Sequence, residues 1–126
     1  MSKRLLVVDD QSGMTKVVSH IAVGLGYEVK ALTDSTLATE IFLEFMPEVV
    51  VLDLVMPEKD GIDVLNEMLA TGMQARIIVM TGYGDSYLRL AEGLARFHAN
   101  NQVSVMRKPF RHDYLADLLQ KVSDYT

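Results

Sequence analysis

Five residues of this chain have the types and the settings to do chemistry together. Asp9 and Asp10 follow the apolar run RLLVV (4–8), and Asp53 interrupts VVVLDLVMP (49–57). Thr81 follows RIIVM (76–80), and Lys108 comes just after VSVM (103–106). A carboxylate set in such a run is costly unless it shifts its pKa, meets a cation or reaches a polar edge. Three carboxylates gathered together repel one another. The usual remedy is a hard divalent cation on oxygen ligands, and a Mg2+ site with few carboxylates and several retained waters fits. A lysine adds a point charge for an incoming anion, and a threonine adds a hydroxyl donor. Each residue alone also has a plainer reading: Asp9-Asp10 as a helix cap, Thr81-Gly82 as turn chemistry, Lys108 as a surface lysine.

Only the order of elements can bring these residues together. Five short β-branched runs, at 4–8, 27–32, 48–52, 76–80 and 103–106, read as strands. Val17, Val18, Ile21, Ala22 and Leu25 recur at helical spacing between the first two, with Ser12 as N-cap and Gly26 as stop. Leu37, Ile41 and Phe45 form a second stripe opening after Asp34 and Ser35. Ile62, Leu65, Met68 and Leu69 form a third that ends near Gly72. A fourth helix over roughly 85–98 shows Leu90, Leu94 and Phe97, and the last carries Leu115, Leu118, Leu119 and Val122. Strict (βα)5 alternation predicts an α/β fold, a doubly wound parallel sheet with helices on both faces. The carboxyl ends of parallel strands share one edge, so acid, acid, hydroxyl and amine converge there. Capping alone does not account for that set.

The 126 residues fit a single domain, 1–126, with no repeat, low-complexity segment or linker. No apolar stretch approaches the ~20 residues that span a bilayer, and the N-terminus lacks the pattern of a signal peptide. A cytoplasmic location without membrane contact is therefore expected. The absence of cysteine excludes disulfides, thiol catalysis and cysteine-ligated zinc. A net charge of −5 with scattered basic residues argues against nucleic-acid binding. His20, His98 and His112 share no ligand spacing and read as surface or packing residues, and the methionines read as core filler.

LLVVDD, VVVLDLVMPEKDG, IIVMTG and MRKPF, in this order, resemble the receiver domain of two-component response regulators over nearly the whole chain. The resemblance implies a flavodoxin-like fold with strand order 2-1-3-4-5. It implies that Asp53 accepts a phosphoryl group from the phosphohistidine of a sensor histidine kinase or of a histidine phosphotransfer protein. Asp10 would bind Mg2+ directly with Asp9 in support, Asp53 and the backbone carbonyl of Val55 completing the protein ligands. Thr81 would hydrogen-bond one phosphoryl oxygen and Lys108 would pair with another. Pro57 would stiffen the loop beyond the acceptor, and Gly61 would supply the backbone angles of a tight turn. Such a chain is a phosphoacceptor switch acting at most on itself, rather than an enzyme on other substrates. Its output surface lies around the fourth helix, fifth strand and fifth helix, and its output is a partner protein or a further domain of a longer regulator.

The sequence departs from the family pattern in two places. Val105 stands where receivers usually carry an aromatic, three residues before the lysine; Tyr83 and Tyr87 read first as loop and helix packing, and second as partial substitutes for that aromatic. The stretch from Thr81 to Lys108 is longer than usual, implying an extended or shifted fourth helix that ends at Asn100-Asn101. Val55 and Tyr83 offer no base to orient an attacking water, which predicts slow self-dephosphorylation. Two enzyme and carrier readings fit less well. A haloacid-dehalogenase-type phosphatase needs a general acid at Val55, and a flavodoxin-like carrier needs a hydroxyl- and glycine-rich loop where DDQSGMT stands.

Overall fold

The computed structural model describes residues 3–82, 85–97 and 102–124. The strands β1 (Lys3–Val8), β2 (Tyr27–Leu32), β3 (Val49–Asp53), β4 (Arg76–Thr81) and β5 (Gln102–Arg107) form one parallel sheet in the order β2-β1-β3-β4-β5. They alternate with the helices α1 (Ser12–Gly24), α2 (Ala38–Phe45), α3 (Gly61–Ala70), α4 (Asp85–Phe97) and α5 (His112–Asp124). Both the doubly wound class and the strand order agree with the sequence expectation. Val8 pairs with Leu52, Asp53 with Met80, and Thr81 with Arg107. Strands β3 and β4 each run one residue further than their apolar cores, taking in Asp53 and Thr81.

Side-chain alternation along each strand divides the core between two faces. Leu6, Val8, Val50, Leu52, Ile77 and Val79 pack with Phe42, Leu65, Met68 and Ala91 of α2, α3 and α4. Leu5, Val7, Val49, Val51, Ile78 and Met80 pack with Val18 and Ala22 of α1 and Leu115 and Leu119 of α5. All five residues of β3 are buried, as a central strand covered on both faces requires. Burying each of its four apolar side chains, Val49, Val50, Val51 and Leu52, contributes roughly 1.5–3 kcal/mol. A rigid mount for its last residue, Asp53, is the result.

Helix boundaries and stripes differ from the sequence reading in four respects. Gln11, not Ser12, is the N-cap of α1, because the Asp9 carboxylate takes the Gln11 N–H at 2.9 Å and starts the turn from the strand end. A 3-10 turn over Ser35–Leu37 precedes α2 and shifts its phase, so Ala38 and Phe42 face the core while Leu37 is exposed. Among the described side chains of α4, Ala91 is buried against the core and Leu90 is exposed. Helix α2 ends on Met46 in the left-handed conformation, φ 53°, where a glycine would be expected. The expected stop at Gly26 holds, with φ 93°. Tyr83, His98 and the Asn100-Asn101 cap lie outside the described residues, as do the side chains of Tyr87, Leu94 and Phe97.

Candidate functional site

Strand ends bring the three aspartates together as expected. Asp9, Asp10 and Asp53 each offer a carboxylate oxygen within 4.8 Å of the others. Their settings differ. Asp9 is wholly buried, Asp53 is 5% exposed, and Asp10 is exposed. The Lys108 ammonium donates to Asp9 Oδ2 at 2.8 Å and stands 3.5 Å from Asp53 Oδ1. Asp53 Oδ1 also accepts a long hydrogen bond, 3.4 Å, from the Val55 N–H. The Lys108 N–H donates to the Thr81 carbonyl at 2.9 Å, extending the β4–β5 ladder past the strand end, and the Lys108–Pro109 bond is cis.

Above these groups opens a cavity of about 400 Å3 lined by Asp10, Gln11, Asp53, Val55, Met56, Pro57, Gly82 and Lys108. Thr81 is wholly buried beside this lining and is not part of it. The sequence reading did not single out Gln11, Met56 or Gly82 as lining residues. Their only signal is adjacency to the marked positions in chain order.

Burial and the neighbouring Asp9 charge push the Asp53 carboxyl up to about 6, and Lys108 only partly offsets them. Burial alone would pull Lys108 down, but the hydrogen bond to Asp9 and the charges of Asp53 and Asp9 raise it above the ordinary lysine range. Three carboxylates therefore face one ammonium, and the site is short of positive charge. The donors are hard oxygens in a solvent-open pocket, a set that fits Mg2+. Asp10, exposed toward the cavity, suits direct coordination. Asp9, committed to Lys108 and to the Gln11 N–H, suits support.

The wall opposite α1 is the loop between β3 and α3. Leu54 anchors its base, donating to the Met80 carbonyl at 3.0 Å and accepting from the Gly61 N–H at 2.9 Å. Gly61 is needed here for close approach rather than for unusual backbone angles. Its φ is not positive, but a Cβ would collide with the Asp53 carbonyl and the Leu54 backbone. Asp60 then caps α3 through the Ile62 N–H at 2.8 Å. Val105, half-buried, packs against the α2–α4 core and lines a separate hollow of about 430 Å3 with Met106, Phe110, Arg111 and Tyr114.

The match to the family model described as the response regulator receiver domain covers residues 5–120. The chain belongs to this family. It is 33% identical to the chemotaxis protein CheY of Thermotoga maritima over 98% of this chain and 99% of that one. It is 29% identical to the sporulation initiation phosphotransferase F of Bacillus subtilis over 96% and 94% of the two chains. A crystal structure of a response regulator from Colwellia psychrerythraea superposes with a TM-score of 0.84 at 25% identity, covering both chains completely. The protein is thus a receiver domain of two-component signalling, a class of phosphoacceptors that interact with histidine kinases or phosphotransfer proteins and use Mg2+ at an acidic pocket. Among the described residues, no helix is long and apolar enough to cross a membrane.

Proposed function

We propose that Asp53 is the phosphoacceptor of this receiver and that residues 1–126 work as one switch in the cytoplasm. The observation that carries this reading is the placement of Asp53. Its carboxylate is fixed at the end of a fully buried strand, opens on the cavity, and has Lys108 at 3.5 Å. A carboxylate oxygen of Asp53 attacks phosphorus as the bond to the donor's nitrogen or oxygen breaks, leaving an acyl phosphate on the protein. Such transfer needs positioning and charge neutralisation more than covalent help.

Asp10, Asp53 and the Val55 carbonyl would hold Mg2+, with Asp9 behind them. When bound, the ion neutralises negative charge on the phosphoryl oxygens. Lys108 moves part of its charge from Asp9 to a phosphoryl oxygen, and Thr81 supplies a hydroxyl to another. The donor is a sensor histidine kinase or a histidine phosphotransfer protein, and the output is read on the surface of α4, β5 and α5. The test is incubation with Mg2+ and acetyl phosphate followed by intact-mass measurement. One labile phosphoryl adduct is expected, absent from Asp53→Asn. An adduct that survives that substitution, or none in the native chain, refutes the assignment.

A further inference from the structure

The β3–α3 loop is held at a second place, remote from its base. Ser35, in the 3-10 turn before α2, is 2% exposed, and its Oγ accepts the Lys59 N–H at 2.9 Å. The Lys59 ammonium reaches in the same region to Glu67 Oε2 of α3 at 2.5 Å, and Glu67 Oε1 accepts from Thr39 Oγ1 of α2 at 2.6 Å. One residue near the far end of the loop is therefore gripped by its backbone and by its side chain, from two helical elements. The hydrogen bonds from Lys59 and Thr39 hold the Glu67 carboxyl below its ordinary range, so it is ionised when it grips.

What the grip controls is the wall between its two anchors. The loop is closed at Leu54–Gly61 and pinned at Lys59, and the residues between include Val55, Met56 and Pro57, which line the cavity with Asp53. Neither Ser35 nor Glu67 lines the cavity, so neither touches a bound ion or phosphoryl group. The two holds differ in strength. The Lys59–Glu67 pair is part-exposed, 28% and 41%, and exposed pairs of this kind hold weakly. Removing the Ser35 hydroxyl instead leaves a backbone N–H without its buried partner.

We propose that Ser35, with Glu67 as the weaker second hold, is a positioning residue that sets the metal affinity of the acceptor site by fixing the β3–α3 loop through Lys59. The proposal rests on the reading that the aspartates and Val55 hold Mg2+. Partners that orient a ligand from outside typically change metal affinity by about 10–100-fold. Here, where one ligand of the set is a loop carbonyl, the expected change is roughly three- to tenfold.

The test is MgCl2 titration of 15N-labelled protein followed by amide shifts, which read affinity and folding together, with amide exchange measured in the metal-free state. Ser35→Ala is expected to raise the Mg2+ Kd roughly three- to tenfold and to speed exchange at the Lys59 and Val55 amides. Tyr27→Phe, a destabilising control packed on the other face of the sheet, leaves the Kd unchanged. Asp10→Asn is the arm for the metal reading. If its Kd rises while that of Ser35→Ala stays within twofold of the native value, the positioning role is wrong and the metal site stands. If Asp10→Asn also binds Mg2+ normally, the metal site itself is wrong and the proposal goes with it. Should Ser35→Ala fail to fold, Ser35→Cys, which keeps the volume but replaces the hydroxyl with a weak acceptor, decides on the same scale: a raised Kd supports the role, and a native Kd overturns it.

Discussion

Asp53 carries an energetic cost that follows from its position. Its carboxyl titrates near 6 in the folded chain against 3.8 as its ordinary value. A group raised in this way favours the fold below its unfolded pKa, and that contribution is lost as pH rises through the folded pKa. Ionising Asp53 between about pH 4 and pH 6 therefore weakens the metal-free protein, by on the order of 2 kcal/mol once screening by water in the open cavity is allowed for. Asp53→Asn is expected to melt several degrees higher than the native chain at pH 7.5 in chelator, and at the same temperature at pH 4. A thermal scan at both pH values checks this, and an equal gain at the two would remove the electrostatic account. Much of this was legible in the sequence, because three acids, a hydroxyl and an amine stand at the ends of four of the five apolar runs. The partner of Lys108 was not. Its tightest bond is to Asp9 and not to the acceptor, a choice made by side-chain reach and burial that spacing along the chain does not encode.

At the scale of elements, the sequence located every described strand and α-helix, and Ile41 and Phe45 pack against the core as expected, while Leu37 and Leu90 of the expected stripes are exposed. A 3-10 turn ends at Leu37, and the change in residues per turn leaves Leu37 outside while Ala38 and Phe42 are the fully buried residues of α2. In α4, among the described side chains, Leu90 is exposed and Ala91 is buried, a residue too small to mark a stripe in the sequence. The same limit applies to Gly61. A glycine after a loop suggests a turn, yet its requirement here comes from the backbone of Asp53 and Leu54 pressed against it. Because those atoms belong to a buried strand end, they cannot step aside cheaply. Gly61→Ala is expected to destabilise the fold by about 3 kcal/mol, the upper end of ordinary overpacking. The readout is a lower denaturant midpoint at unchanged slope, together with a weaker phosphoryl adduct, since the collision lies beside the acceptor.

For the molecule as a whole, strict alternation of strand and helix was enough to predict a parallel sheet and one active edge. The strand order came instead from the family resemblance, since periodicity is silent about which strands are neighbours. Long-range ties are equally silent. The Tyr27 hydroxyl donates to the Leu119 carbonyl at 2.8 Å, joining β2 to α5 across 92 positions. Burial, and then the charge of Glu48, push this phenol up to about 12 from 10. Its contribution to stability is thus intact below pH 10 and is lost as pH rises toward 12. Denaturant unfolding should show that decline in the native chain and a flatter one in Tyr27→Phe, which starts roughly 1 kcal/mol lower for the lost hydrogen bond. Absorbance titration should show one of the five tyrosines ionising well after the rest. A single transition near pH 10 would mean the tie does not persist in solution.

The left-handed residue at the end of α2 has a practical consequence. Met46 is 62% exposed, and every other described methionine is buried or partly so. Among the described methionines its thioether is the first that peroxide meets, and the sulfoxide forms at the end of the sheet opposite the aspartates. Samples handled in air would gain one oxygen there without losing the ability to take up phosphate. In a mass spectrum the two additions separate by persistence: the acyl phosphate decays in water, while the sulfoxide stays.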